Sequence, residues 1–153
     1  MGSPLPMLSM VLFRLTGSAM RVADMADIPQ DELVQRILNN HENLILDVRS
    51  PAEYAESHIP GAINIPYDQL RTRLAEISSH KNKEIVLYCK IGKRVIIAAT
   101  ILQAAGFNHL LHLLGDMDDW CSNGNLPVSV PPASGSGRSS AGFKPRRNPN
   151  EIV

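Results

Sequence analysis

Short apolar runs alternate along the chain with longer segments in which apolar residues recur at helical spacing. The apolar runs predict strands at residues 43–49, 85–89 and 108–114. The helical spacing predicts helices at residues 29–40, 67–77 and 93–105, with a last helical turn or two within residues 115–124. Strands that alternate with helices are typical of an α/β domain with a mainly parallel sheet.

These segments should differ in how deeply they are buried. Residues 85–89 form the most continuous β-branched and apolar run, which predicts a central strand. Residues 93–105 are apolar on nearly all sides, so we expect that helix to be well buried. In the first helix, Leu33, Ile37 and Leu38 should share the packed face.

One connection carries a clear helix start. Ser50 is a good N-cap, Pro51 suits the first helical position, and Glu53 lies three residues after the cap, which together make a capping box. We therefore expect a short helix that runs to about Ser57. The two prolines and the glycine in residues 58–66 predict an extended connection that lies against the core.

Composition limits the classes of function. With 153 residues and 44% apolar content, the chain can bury one core, and 15 basic residues against 15 acidic ones create no global field that would attract nucleic acid. Two cysteines are too few for a disulfide framework, which fits a reducing compartment, and the five histidines are scattered. We therefore expect no metal.

The two ends of the chain differ in composition from its middle. Residues 129–153 are rich in Ser, Gly and Pro and predict a disordered basic tail, and residues 1–24 predict a flexible segment or residues left from cloning. The folded domain should therefore occupy residues 25–128. The apolar stretch at residues 4–13 is too short to span a bilayer and no basic residue precedes it, so we expect a cytoplasmic protein, with export to the periplasm less favoured.

The sequence CKIGKR, at residues 89–94, is the strongest candidate for chemistry; we call it the cysteine loop. Cys89 ends the predicted central strand, at the sheet edge where parallel α/β domains bind ligands. The loop then leads into a helix, so backbone amides should form an anion nest, with Gly92 free to adopt positive φ. The predicted substrate-binding residues are Lys90, Ile91, Gly92, Lys93 and Arg94. The amides and basic charges would stabilise a Cys89 thiolate. The competing interpretation is a buried thiol that only ends a strand.

Three further polar residues border this region as structural support. Arg49 should pair with Glu53 or another carboxylate and so join strand to helix, while Asp47 should accept hydrogen bonds from loop amides. Asp47 also ends a strand, which leaves a position facing the cysteine loop open. His58 is expected to be a hydrogen-bonded structural residue, and Cys121 a partly buried packing residue beside Trp120.

Three motifs together resemble the rhodanese family over roughly residues 27–128. LILDVRSPAEYAESHIPGAINIP, at residues 44–66, is similar to the N-terminal signature of the family, with Ser57 where Gly is usual. CKIGKR is similar to its six-residue active-site loop, although the bulky Val95 and Ile96 follow it. LLGDMDDWCSNGNLPV, at residues 113–128, is similar to its closing motif, with Asp116 in place of the second glycine.

The resemblance implies a rhodanese-like α/β sandwich, with a five-stranded parallel sheet flanked by helices. It also implies a sulfurtransferase in which Cys89 takes a sulfane sulfur from thiosulfate or a similar donor, forms a persulfide, and passes the sulfur to cyanide or a thiol. Such chemistry requires no metal or cofactor.

Other functions remain open at this level. One is a persulfide relay or binding module that docks a partner protein, and another is an inactive module used only for interaction, against which the retained Cys89 argues. A cysteine phosphatase or arsenate reductase is less favoured. Those enzymes have five residues between cysteine and arginine, whereas only four separate Cys89 from Arg94.

Overall fold

The computed structural model describes residues 25–124 and 126–130. Five strands lie within these ranges: β1 (Ala26–Ile28), β2 (Leu44–Asp47), β3 (Ile63–Asn64), β4 (Ile85–Tyr88) and β5 (Leu110–Leu113). The helices are α1 (Gln30–Leu38), α2 (Pro51–Glu56), α3 (Leu70–Arg73), α4 (Lys93–Ala104) and α5 (Asp116–Ser122). A 3₁₀ segment, Leu74–His80, follows α3 directly.

The strands form one parallel sheet in the order β1-β5-β4-β2-β3, which confirms the predicted five-stranded parallel architecture. β4 is the middle strand, as its continuous apolar run predicts, and all four of its residues are buried. Helices on both faces cover the sheet, so the core lies in two layers. Cys89 belongs to one layer and Tyr88 to the other, because successive side chains of a strand point to opposite faces.

Two predictions of burial are wrong in part. In α1, Leu33 is fully buried and Ile37 packs against the same core layer, but Leu38, the last residue of the helix, is 62% exposed. In α4, Val95 is buried while Ile96 and Ile97 are 57% and 48% exposed. A helix that packs on one face of a sheet leaves its outer side in solvent whatever its composition, so two isoleucines of α4 remain exposed.

The segment predicted as one helix at residues 67–77 is divided. It forms the single turn of α3 and then the 3₁₀ segment, in which residues three apart lie on the same side. This geometry keeps Ile77 fully buried and Leu74 packed against the same core layer as Leu70. Helical period alone does not distinguish these two helix types over so short a stretch.

The connection at residues 58–66 contains the edge strand β3, which the sequence pattern did not predict. Its two residues pair with the last two of β2, Ile63 with Leu46 and Asn64 with Asp47. A two-residue strand bounded by prolines has no detectable alternation, so only the pairing with β2 identifies it.

The chain ends lie mostly outside the described ranges. This applies to the predicted N-terminal segment, residues 1–24, and to residues 131–153 of the predicted tail. Ser129, the first residue of that tail, forms an antiparallel bridge with His58. Two backbone hydrogen bonds, of 3.0 and 2.8 Å, join the two residues. Ser129 is therefore part of the folded structure.

Candidate functional site

Cys89 follows β4 directly, at the carboxyl end of the central strand. Its side chain is buried, with only 1% of the residue exposed. The Gly92 backbone N–H donates a hydrogen bond to Sγ of Cys89 at 3.0 Å. The sulfur thus lies inside a tight turn whose amide faces it, so the turn offers a hydrogen-bond donor to the sulfur.

Gly92 shapes this turn. Its φ is +87°, a conformation that disfavours residues with a side chain, and it is the N-cap of α4. A Cβ at this position would lie 3.1 Å from Oδ2 of Asp116 and 3.6 Å from Nε2 of His112. The underside of the cysteine loop is therefore in close contact with side chains that come from β5 and α5.

The first turn of α5 anchors the cysteine loop. The Met117 N–H donates to the Cys89 carbonyl at 3.0 Å, and the Asp118 N–H donates to the Lys90 carbonyl at 3.2 Å. The outer surface of the loop is open, since Lys90, Ile91 and Lys93 are exposed. Two basic side chains and one apolar side chain are thus exposed on the loop that holds the buried sulfur.

Arg94 has a partner within the protein. Its guanidinium donates to both carboxylate oxygens of Glu53, at 2.6 and 3.0 Å, and both side chains are 28% exposed. The Glu53 hydrogen bonds raise the pKa of Arg94 against partial burial, with smaller contributions from the charges of Glu53 and Cys89. The positive charge lies close to the sulfur, but Glu53 balances part of it.

Glu53 also takes part in the N-terminal cap of α2. Ser50 and Glu53 form the predicted capping box at the start of α2, which is confirmed. The Arg94 hydrogen bond, together with those from Ser50, lowers the pKa of Glu53 to about 2, although burial opposes the shift. One carboxylate therefore joins α2 to the first turn of α4, beside Cys89.

Arg49 pairs with a carboxylate as expected, but the partner is Asp47 and not Glu53. The Arg49 side chain donates to both carboxylate oxygens of Asp47 at 2.7–3.1 Å, and a further bond reaches the Ser57 carbonyl at 2.8 Å. The two side chains are 6% and 0% exposed. Oδ1 of Asp47 also accepts a hydrogen bond from the Arg49 backbone N–H. Asp47 thus binds a loop amide, as expected.

The contacts of His58 are with Tyr54 of α2 and with Ser129. Its Nδ1 is 2.9 Å from the Tyr54 carbonyl oxygen, and its ring stacks on the Tyr54 ring with centroids 3.8 Å apart. Its backbone pairs with Ser129. These contacts fix the end of α2 and do not involve the cysteine loop.

A network beneath the cysteine loop was not anticipated. Oδ1 of Asp116 accepts the Cys89 backbone N–H at 2.7 Å, and Oδ2 lies 2.9 Å from Nε2 of His112. Nδ1 of His112 lies 3.1 Å from Oδ1 of Asp27 on β1. The Asp116 hydrogen bond is the main cause that raises the pKa of His112, against desolvation. The one signal in the sequence was Asp116 itself, which stands where glycine is usual.

Comparison with known proteins supports the same family. The profile of the rhodanese-like domain matches residues 29–123. The chain belongs to the rhodanese-like domain family. A sulfurtransferase from Allochromatium vinosum is 33% identical over 105 residues, which cover 69% of this chain and 95% of that protein. The thiosulfate:glutathione sulfurtransferase of Saccharomyces cerevisiae is 32% identical over 106 residues, which cover 61% of this chain and 76% of that protein.

Solved structures agree with the rhodanese-like assignment. The crystal structure of a rhodanese-related protein from Thermoplasma volcanium superposes with a TM-score of 0.59 at 27% identity. It covers 69% of this chain and 98% of the other. The expected sandwich of helices around a five-stranded parallel sheet is therefore confirmed.

Cys121 and Trp120, the other two residues that the sequence singled out in this rhodanese-like domain, both lie in α5. Cys121 is exposed, which corrects the expectation of a partly buried residue, because its side of α5 faces solvent. Its neighbour Trp120 is fully buried, and the indole N–H donates to the Pro127 carbonyl at 2.8 Å. Within residues 25–124 and 126–130, no group of three His, Cys, Asp or Glu side chains is placed to hold a metal ion. In the same ranges, every helix is too short or too polar to cross a membrane.

Proposed function

We propose that the protein is a sulfurtransferase in which Cys89 carries the sulfur. The observation that carries this proposal is the buried Sγ of Cys89, which accepts the Gly92 N–H at 3.0 Å inside a loop at the carboxyl end of the central strand. Sulfurtransferases among the relatives, one of them named for thiosulfate and glutathione, support the reaction class.

The proposed reaction has two steps. The Cys89 thiolate attacks the outer sulfur of thiosulfate, a sulfur–sulfur bond forms, and sulfite leaves with the electron pair of the bond that breaks. Cyanide or a thiolate then attacks the terminal sulfur of the Cys89 persulfide. Cyanide is converted to thiocyanate, whereas a thiolate acceptor becomes a persulfide, and in both cases the Cys89 thiolate is regenerated.

The cysteine loop supplies the electrostatics of both steps. The Gly92 amide stabilises negative charge on sulfur, and the exposed Lys90 and Lys93 attract an anionic donor. Arg94 contributes its charge from a position that Glu53 holds in place. Four residues between Cys89 and Arg94 leave a small ring, which suits a sulfur atom better than a phosphoryl group.

Intact mass spectrometry tests this proposal. After incubation with thiosulfate, the protein should gain one sulfur atom, and cyanide should remove it. Cys89→Ser should form no adduct, whereas Cys121→Ser, a matched change at the exposed cysteine, should behave as the unmodified protein does.

Two results would contradict thiosulfate transfer. An adduct that forms only from a persulfidated donor protein would favour the relay function, in which the exposed Ile91 and the lysines beside it dock a partner. Hydrolysis of an aryl phosphate without any sulfur adduct would favour a phosphatase.

A further inference from the structure

The network beneath the cysteine loop poses a problem of charge. Asp116 is 3% exposed, and its carboxylate accepts the backbone N–H of Cys89 itself. A buried negative charge so close to a cysteine opposes formation of the thiolate. A sulfurtransferase with a thiolate nucleophile therefore needs a counter-charge for Asp116.

His112 lies where that counter-charge is needed. Its two ring nitrogens are 2.9 Å from Asp116 and 3.1 Å from Asp27, and both partners are carboxylates that only accept hydrogen bonds when ionised. A neutral imidazole has one N–H and can donate to only one of them. The geometry is therefore satisfied by an imidazolium, in which both nitrogens donate.

The backbone at Asp116 supports a specific role for the carboxylate. Its φ is +52°, in the left-handed region that residues other than glycine seldom adopt. Gly115 before it has φ +76°, so two consecutive residues take this conformation. The Asp116 side chain is held at a strained backbone position and contacts both Cys89 and His112. These contacts indicate a specific role for its carboxylate.

We propose that Asp27, His112 and Asp116 form a positioning network for the cysteine loop, in which protonated His112 neutralises Asp116 so that Cys89 can ionise. Asp116 holds the loop through the Cys89 N–H, and His112 makes this carboxylate tolerable beside a thiolate. This inference builds on the proposed function, since it concerns the same sulfur. It assigns His112 and Asp116 as positioning residues, because they act through Cys89.

The charged groups near His112 and near Cys89 either belong to the ion pairs already described or are exposed on the loop. The charged groups that face His112 are Asp27 from β1 and Asp116 from α5. Besides Asp116, the charge near Cys89 is Arg94 on α4, which Glu53 of α2 engages. Lys90 and Lys93 are exposed on the loop. Among these groups of the described part of the chain, His112 is thus the histidine, and its charge depends on pH.

The rate of Cys89 alkylation by iodoacetamide, measured against pH in the Cys121→Ser background, tests the network without requiring sulfur transfer. Its midpoint should rise by roughly one pH unit in His112→Gln, because Asp116 is left without its counter-charge. In the double variant Asp116→Asn, His112→Gln the midpoint should return to the original value or below. Asn keeps the acceptor oxygen for the Cys89 N–H and tolerates positive φ, but it lacks the charge.

Controls separate this result from a general loss of structure. His109→Gln changes an exposed histidine of the preceding loop and should leave the midpoint unchanged. An unchanged midpoint in His112→Gln, or a rise that persists in the double variant, would overturn the proposal. Because alkylation does not depend on a sulfur donor, a protein that fails to react with thiosulfate still gives a clear result here.

A second measurement needs no change in the network itself. Coupling is reciprocal, so an ionised Cys89 should raise the pH at which the His112 ring titrates. NMR titration of the His112 ring should therefore give a lower midpoint in Cys89→Ser than in the unmodified protein. Identical midpoints in the two proteins would overturn the proposal even where His112→Gln does not fold.

Discussion

Asp47 and Asp116 are both buried carboxylates, but their charges are balanced in different ways. Asp47 ends β2 and is neutralised by Arg49, whose guanidinium stays protonated at every accessible pH. Asp116 begins α5 and is paired with His112, whose charge depends on pH and whose pKa the Asp116 hydrogen bond raises. Both pairs are within hydrogen-bonding distance, at 2.7 and 2.9 Å respectively.

The difference matches what surrounds each pair. Asp47 and Arg49 fix the end of β2 to the Ser57 carbonyl beyond α2, where a permanent charge gives a permanent contact. Asp116 instead contacts the cysteine loop, so a change in its charge balance reaches the nucleophile directly. A fold can therefore use the same kind of buried carboxylate as a constant support in one place and as a pH-dependent one in another.

The largest expected effect is on the Asp47 side of this comparison. Arg49→Met leaves a fully buried carboxylate without its partner, so the free energy of unfolding should fall by about 3–5 kcal/mol. Urea denaturation at neutral pH measures the change. Arg73→Met removes the exposed pair with Glu76 and should cost far less, because solvent screens that pair. Equal losses in the two variants would mean that burial of the Asp47 pair contributes nothing.

The ion pair beside Cys89 is intermediate in burial and should be intermediate in effect. Arg94→Met should lower the free energy of unfolding by about 2 kcal/mol at neutral pH, after allowance for solvent screening. The folded-state pKa of Glu53 is about 2, below its ordinary value of 4.5, so this contribution exists above pH 4.5 and is lost as pH falls towards 2. Urea denaturation at a series of acidic pH values measures it. A difference that does not shrink on acidification would contradict the pairing.

Gly92→Ala should disturb the contact between the cysteine loop and Asp116. Alanine should destabilise the protein by about 1–2 kcal/mol because φ is +87°, and its Cβ would crowd the Asp116 carboxylate. Alkylation of Cys89 should also slow several-fold, since the Gly92 N–H would shift away from the sulfur. Gly106→Ala is the matched control, with φ +88° and only a flexible Lys81 side chain nearby. It should lose similar stability but leave alkylation unchanged; equal slowing in both would argue against a local effect.

The smallest effect should distinguish the two carboxylates most directly. His112→Gln should cost about 1 kcal/mol or less at pH 6, because the folded protein raises the pKa of His112 above 6.5. A raised pKa gives stability that is complete below pH 6.5 and is lost as pH rises through the folded-state value. Urea denaturation from pH 6 upwards should therefore show the cost of His112→Gln shrink, while the cost of Arg49→Met stays constant. A constant cost for both would remove the proposed contrast.

Local signals predicted much of the site. The apolar run before Cys89 identified the central strand, and the spacing of Ser50 and Glu53 identified the capping box. The helix after Gly92 followed from its composition and length. These features depend on neighbours within a few residues, so the local sequence pattern predicts them. By contrast, β3 and the change to 3₁₀ geometry at Leu74 depend on packing against other elements.

The partners of the charged residues were not predictable in the same way. Arg49 could reach Asp47 or Glu53 from its sequence position, and the structure pairs Glu53 with Arg94, 41 residues further along. His112 and the Cys89 amide contact Asp116 across separations of 4 and 27 residues, and Asp27 contacts His112 across a separation of 85 residues.

By itself the sequence determined a parallel α/β domain and a cysteine at the carboxyl end of its central strand, because periodicity and end signals are local. Only the tertiary structure decided which charges meet around that cysteine. Parallel strands that are distant in sequence bring their carboxyl ends to one edge of the sheet, and that juxtaposition selects the ion pairs.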